Sequence, residues 1–145
     1  MDSNSFSRPF EGPSLEIIKQ SFFDVQAGIF VYAKVRTLPP AGKHFMVSQD
    51  GDEITVVTRG DLSSLDLIER NKDDYVLIAL NVAVPFYSVG FLATVSDAFA
   101  ANDMNILIIS TYSKDYILVR ADRLDLSQEI LLKLGFQKRS EPALS

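Results

Sequence analysis

Residues 89–119 read VGFLATVSDAFAANDMNILIISTYSKDYILV, and this stretch decides how the chain folds. Apolar side chains recur every three or four residues in its first part, which predicts a helix from about Val89 to Ala101. Two runs rich in isoleucine, leucine and tyrosine follow and predict strands at Met104–Thr111 and Asp115–Arg120. The stretch therefore indicates a helix followed by a strand hairpin.

The flanking sequence completes a repeating pattern of strands and helices. A strand is predicted at Tyr75–Val84, before the helix. After the hairpin, Asp122 is positioned to cap a last helix and Gly135 to end it, and Phe136–Arg139 is long enough for a short final strand. The order β-α-β-β-α, with this fourth strand, describes a ferredoxin-like unit.

The part of the chain before residue 71 shows a less regular version of the same order. The apolar spacing predicts a helix at Ser14–Ser21 and a strand at Ile29–Arg36. Asp50-Gly51 is a strong hairpin signal between two predicted strands, His44–Ser48 and Glu53–Thr58. Asp61 is positioned to cap a second helix, because apolar residues follow it at a spacing of three.

A shift of 62 residues aligns the two halves without a gap. Phe45–Val57 reads FMVSQDGDEITVV and Leu107–Val119 reads LIISTYSKDYILV, so that Glu53 is the counterpart of Asp115. We therefore predict an α+β fold with two ferredoxin-like βαββαβ-type units in tandem, built of antiparallel sheets with helices on one face. The predicted organisation is a mobile tail at 1–13, a divergent first unit at 14–70, a second unit at 75–139 and a tail at 140–145.

Composition excludes several classes of function. The chain has 145 residues, no cysteine, one histidine and a formal charge of −5. The absence of cysteine excludes disulfides and thiolate zinc sites, and a single histidine, His44, excludes multi-histidine metal sites. A nucleic-acid binder would carry a basic face. The sequence therefore predicts no metal, no cofactor and no nucleic-acid partner.

The sequence also predicts the compartment. No apolar run reaches the roughly 18 residues that would span a membrane. The first 14 residues have neither the basic start nor the apolar segment of a signal peptide. We expect a cytoplasmic protein with no membrane partner.

The segment Ser110–Val119, which reads STYSKDYILV, carries a resemblance to a known family. Together with the helix before it, this segment resembles the helix and hairpin of ACT domains. It is most similar to the branch shared by small bacterial tandem-ACT proteins and the CASTOR-type cytosolic arginine sensors. Gly28–Tyr32 and Phe45–Val57 resemble the leading ACT unit of that branch, so the resemblance covers roughly residues 14–138.

The resemblance implies a stand-alone regulatory protein that binds a small ligand, usually a free amino acid, and has no enzymatic activity. In the sensor relatives the ligand lies where the loop after a unit's first strand meets an adjacent ACT unit. A homodimer of this chain would rebuild that geometry, and a protein partner would receive the signal.

The candidate ligand-binding residues lie at the start of the predicted helix and in the hairpin: Ser88, Val89, Gly90, Ser110, Thr111 and Asp115. Backbone N–H groups at a helix start favour a carboxylate. The hydroxyls of the hairpin can donate or accept hydrogen bonds, and Asp115 can pair with an ammonium or a cationic side chain. Each residue also has a purely structural explanation: Ser88 as a helix cap, Gly90 in helix packing and Asp115 in ending the turn.

Two further functions stay open at this point. An interaction or dimerisation module that has lost ligand binding would keep the same fold. A small enzyme is the weakest of the three, because Lys114 and Asp115 are adjacent on a strand end and point to opposite faces.

Overall fold

The computed structural model describes residues 13–82 and 90–139. These residues form three α-helices and nine strands. In chain order they are α1 (Pro13–Lys19), β1 (Phe22–Val25), β2 (Phe30–Val35), β3 (Met46–Gln49), β4 (Ile54–Arg59), β5 (Leu67–Arg70), β6 (Tyr75–Asn81), α2 (Phe91–Ala100), β7 (Leu107–Ser110), β8 (Asp115–Arg120), α3 (Leu124–Leu134) and β9 (Gln137–Lys138). A single 3-10 turn, Ala121–Arg123, leads into α3.

The second half of the chain builds a ferredoxin-like sheet with one strand added. The strands lie in the order β7-β8-β6-β1-β9, in which β6 is antiparallel to both β8 and β1. Strand β9 pairs with β1 in a parallel direction. Removal of β1 from this order leaves the strand arrangement of a ferredoxin-like unit. The mixed α+β fold with a largely antiparallel sheet is therefore confirmed.

The first half repeats the same strand order without helices between the strands. Its strands lie in the order β3-β4-β2-β5, all antiparallel. The hairpins β3-β4 and β7-β8 thus occupy equivalent places in their sheets. Their registers correspond at a shift of 61 residues, because Met46 pairs with Val57 as Leu107 pairs with Leu118. The predicted 62-residue alignment is therefore one residue out of register, and Ile54, not Glu53, takes the place of Asp115. The strand count is consistent with two ferredoxin-like units.

The helix predicted after Asp61 is wrong, because the segment forms a turn and then a strand. The Asp61 carboxylate accepts a hydrogen bond from the Ser63 backbone N–H at 2.9 Å, as a helix cap would. The chain then leaves the helical path, and β5 pairs with Ala33–Val35 of β2. The edge of β2 supplies backbone partners from Asp66 to Asn71, and this long-range pairing outweighs an apolar spacing of three over only one or two turns.

The segment α1–β1 packs into the core of the second half, although the sequence analysis assigned it to the first unit. Ile18 and Phe23 have no exposed surface and belong to the apolar cluster that α2 and α3 form with the sheet. Phe136, which follows α3, is buried in the same cluster. All three helices contact one another and cover one face of this sheet.

The nine strands form one sheet, and its two halves join where two long, bent stretches of chain run antiparallel to each other. Strands β1 and β2 lie along β6 and β5, and Phe30 is directly opposite Tyr75 at the bend. Gly28, with a φ of 92°, lies in the bend between β1 and β2. We refer to this junction as the seam.

Strand β6 is buried on both faces, because its residues Tyr75–Leu80 are all buried. One face contacts the helix-side cluster. The other face, with Tyr75 and Leu77, packs against Phe30 and Val57 of the first half. On the outer face of the first half, Leu65 from the loop before β5 packs against a cluster of Val35, Ile54 and Val56.

The C-terminal end of α3 shows how the local sequence ends a helix. Gly135 follows the helix in the left-handed conformation, with a φ of 119°, as the sequence predicts. A side chain here would be strained, since L-residues rarely adopt this conformation. The turn directs Phe136 back toward the core, and Gln137 of β9 then pairs with Phe22 of β1.

Truncation of Phe23 tests whether the N-terminal segment belongs to the core. Phe23→Ala removes a ring with no exposed surface, and we expect the free energy of unfolding to fall by about 3–5 kcal/mol. Leu38→Ala is the control, because Leu38 is 58% exposed and its truncation should change stability by less than about 0.5 kcal/mol. Urea unfolding measures both. A Phe23→Ala protein as stable as the control would contradict this packing.

Candidate functional site

The β7-β8 hairpin brings two of the candidate site residues together. Ser110 ends β7 and Asp115 begins β8, and the two residues are directly opposite each other. The Ser110 hydroxyl donates a hydrogen bond of 2.5 Å to the Asp115 carboxylate. Asp115 also lies opposite Leu80 of β6. Its side chain therefore points to the helix-bearing face of the sheet, where Leu80 is buried.

The Asp115 carboxylate retains acceptor capacity. It is half-buried, and among the described residues it forms no ion pair and only the hydrogen bond from Ser110. An ionised carboxylate offers about four lone-pair positions, so several remain for an ammonium or guanidinium group.

Thr111 contributes to the turn of the hairpin. Its backbone N–H donates to the Lys114 carbonyl at 2.8 Å, and its hydroxyl donates to the same carbonyl at 3.2 Å. The hydroxyl that the sequence analysis assigned to ligand binding is thus engaged in closing the turn.

Gly90 occupies the cap position of α2, with a φ of 80°. Its carbonyl accepts hydrogen bonds from the Thr94 backbone and hydroxyl, each at 2.9 Å. Ser88 and Val89, the other two candidate residues at this helix start, lie outside the described residues. They belong to the part of the chain between α2 and β6, and β6 ends beside Asp115.

A polar cluster that sequence reasoning missed lies at the same end of the sheet, on its opposite face. The Asp24 carboxylate accepts a hydrogen bond from the Asn81 amide at 2.8 Å and lies 3.4 Å from the Arg139 guanidinium. That guanidinium lies over the Phe22 ring, 3.9 Å from its centroid. The partners are distant in sequence, so only the pairing of β1 with β6 and β9 could reveal the cluster.

A cavity of about 560 Å³ lies at the other end of β8. Its charged lining residues carry both signs: Asp73, Asp103, Arg120, Asp122 and Arg123. Arg120 is five residues from Asp115 along the strand, a distance of about 17 Å. The walls of this cavity contain none of the candidate residues.

Tyr75 lines the same cavity. Burial raises the pKa of its hydroxyl above the ordinary value of 10.0, and the nearby Asp73 carboxylate raises the pKa further. Arg120 acts in the opposite direction. The hydroxyl donates a hydrogen bond of 3.3 Å to the Asn71 side-chain oxygen, so the neutral phenol is the favoured form.

The part of the chain that contains the β7-β8 hairpin matches a known protein family. Residues 71–133 match the ACT domain. An ACT domain is present. It includes β6, α2, the β7-β8 hairpin and all but the last residue of α3.

Solved structures share the fold of the chain at low sequence identity. A Vibrio cholerae protein of unknown function superposes with a TM-score of 0.68 at 18% identity, over 84% of this chain and 94% of its own. Aspartate kinase from Clostridium acetobutylicum matches at a TM-score of 0.61 and 12% identity, over 78% of this chain and 34% of the kinase.

A Porphyromonas gingivalis domain, described as a C-terminal regulatory domain of aspartate kinase, matches at a TM-score of 0.55 and 17% identity. The match covers 81% of this chain and 98% of that domain. At these identities the comparisons show the fold alone. Among curated protein sequences, none matches this chain.

Two further searches concern only the part of the chain that the structure describes. None of its helices is both long and apolar enough to cross a membrane. None of its clusters of histidine, aspartate or glutamate would hold a metal ion.

Alkaline titration tests the environment of Tyr75 in the ACT domain. Because the folded-state pKa is raised, the folded protein binds more protons than the unfolded chain above about pH 10, and stability falls as the pH rises through that range. Tyr75→Phe should remove this part of the loss. Urea unfolding at about pH 8 and pH 10.5 measures the difference.

Tyr112→Phe is the matched control, since Tyr112 is 85% exposed on the hairpin turn. It should keep the pH dependence of the unmodified protein. Equal pH dependence in Tyr75→Phe and the unmodified protein would contradict the assignment.

Proposed function

We propose that this chain is a regulatory protein of the tandem-ACT type, similar to the CASTOR-type branch, and that it binds a free amino acid without catalysing a reaction. The ACT domain at residues 71–133 supports a regulatory role. The observation that carries the proposal is the half-buried Asp115 carboxylate, which has lone pairs to spare beside the end of β6.

The proposed site combines the hairpin with the start of α2. Asp115 pairs with the ligand's ammonium or cationic side chain, and Ser110 orients the carboxylate through its hydrogen bond. The N–H groups at Ser88, Val89 and Gly90 receive the ligand's carboxylate, because a helix start carries unpaired donors and a positive dipole end. Thr111 supports the site by closing the turn.

The proposal extends to the assembly and compartment of the protein. In a homodimer the ACT unit of one chain meets that of its partner and completes the pocket. Along the sequence, the two ACT-like units divide at the link 71–74. The protein works in the cytoplasm, and a protein partner there receives the signal.

A thermal-shift screen of the free amino acids tests ligand binding. Ligand at about 100 times its dissociation constant adds about 2.7 kcal/mol of stability, which for a chain of this length corresponds to a rise of about 5–10 °C in Tm. We expect one or a few amino acids, with cationic ones foremost, to give this shift. The absence of a shift with every amino acid at millimolar concentration would overturn the proposal.

The variant Asp115→Ala should abolish the shift with a cationic amino acid. Glu53→Ala is the control, because Glu53 is an acidic residue in the turn of the first hairpin whose side chain forms an exposed ion pair with Lys34. Glu53→Ala should keep the full shift. If both variants respond like the unmodified protein, Asp115 does not hold the ligand.

A second candidate function, a dimerisation module without a ligand, is favoured by the exposed sheet edges. Among the described residues β7 pairs only with β8 and β3 only with β4, and each edge strand carries an apolar side chain, Ile108 or Val47, that is 39% exposed. An unpaired strand edge is a template for pairing with another chain.

Sedimentation of the unmodified protein and of Ile108→Lys tests this edge. We expect a dimer whose dissociation constant rises at least tenfold in Ile108→Lys, since a charge on an edge strand opposes pairing. Leu38→Lys, in an exposed loop, is the control and should leave the dimer intact. A monomer at all concentrations, or equal weakening by both substitutions, would contradict an interface at β7.

A further inference from the structure

Four side chains lie in one row across the seam. Arg59 of β4 is opposite Phe30 of β2, Phe30 is opposite Tyr75 of β6, and Tyr75 is opposite Arg120 of β8. Directly opposed residues share a face of a sheet. In each half, an aromatic residue that begins one strand therefore faces an arginine that ends its neighbour, and a cavity lies at each end of the row.

The two cavities differ in charge. The Arg120 guanidinium is bonded to the Asp122 carboxylate at 2.7 Å, and three aspartates line the cavity around it. The cavity beside Arg59 has a volume of about 250 Å³. Its ionisable lining residues are Lys43, His44 and Arg59, and its lining includes no carboxylate.

Both cations of the smaller cavity have donors to spare. Arg59 donates one hydrogen bond, of 2.6 Å, to the Ala27 carbonyl. Among the described residues neither Arg59 nor Lys43 forms an ion pair. A guanidinium has five N–H donors and an ammonium has three, so most of them remain for a ligand.

The surrounding structure holds these cations in place. A Cβ on Gly28 would lie 3.0 Å from the Arg59 Cδ, so the glycine leaves room for the arginine side chain. The Arg59 guanidinium lies 5.7 Å from the centroid of the Phe30 ring. The His44 Nδ1 lies 2.8 Å from the Thr58 hydroxyl, which ties the loop that carries Lys43 to β4.

We propose that this cavity binds a small molecule through an oxyanion group, either a carboxylate or a phosphate. Arginine and lysine together form the strongest hydrogen bonds to such groups. Phe30 and Leu77 form an apolar floor that excludes water on one side. The positive lining stands out in a chain whose formal charge is −5. The site shares no residue with the proposed amino-acid site at Asp115.

Isothermal titration of the full chain at low salt with two probes, inorganic phosphate and succinate, tests the proposal. We expect saturable binding of at least one probe, and the probe that binds identifies the oxyanion. Lys43→Gln and Arg59→Gln should each weaken binding at least tenfold. Lys43→Gln isolates the charge, because the Lys43 side chain is exposed and forms no hydrogen bond or ion pair with another described residue.

Arg120→Gln is the matched control, since it removes the counterpart arginine of the other cavity, and it should keep the affinity of the unmodified protein. Asp115→Ala should also keep it, which separates this site from the amino-acid site. The proposal is overturned if neither probe binds, if Lys43→Gln binds as tightly as the unmodified protein, or if Arg120→Gln loses as much affinity as Lys43→Gln.

Discussion

The burial of β6 on both faces is the constraint on which the rest of the structure depends. A strand with six consecutive buried residues needs a layer on each side and a partner at each edge. The helices supply one layer, and the first half of the chain supplies the other. Strand β8 pairs along one edge, and β1 with the start of β2 pairs along the other. The first half is therefore a structural layer of the second as well as a unit with its own sheet.

Sequence reasoning found the elements whose signals are local. The two hairpins, α2, α3 and the glycine that ends α3 depend on periodicity and turn residues within a few positions. Strand β5 was missed because its partner β2 lies more than thirty residues away, and no local signal reports that pairing. At the site, the sequence places Ser110 in one predicted strand and Asp115 at the start of the next, but the register that brings them together is seen only in the structure. The use of the Thr111 hydroxyl within the turn depends on a geometry that spacing alone does not define.

The two halves of the chain keep the same strand order, but their ionisable side chains have different partners. Asp115 is half-buried and free of any ion pair in the described part of the chain, whereas Glu53, in the turn of the first hairpin, is exposed and paired with Lys34. The arginines at the strand ends diverge in the opposite sense: Arg120 is neutralised by Asp122 and Arg59 is not. The Asp115 carboxylate in one half and the Arg59 and Lys43 cations in the other thus remain available to ligands, and they carry opposite charges.

The placement of α1 and β1 also bears on how the protein is made. The helix-side cluster extends from Ile18 to Phe136 and takes its residues from the two ends of the described chain, with none from β2–β5. During synthesis Ile18 and Phe23 leave the ribosome long before α3. Their apolar side chains stay exposed until the later part of the cluster has been made. Long-range contacts of this kind slow folding and leave nascent chains open to aggregation. We therefore expect the two units to fold together in one cooperative step, although they share the same strand order.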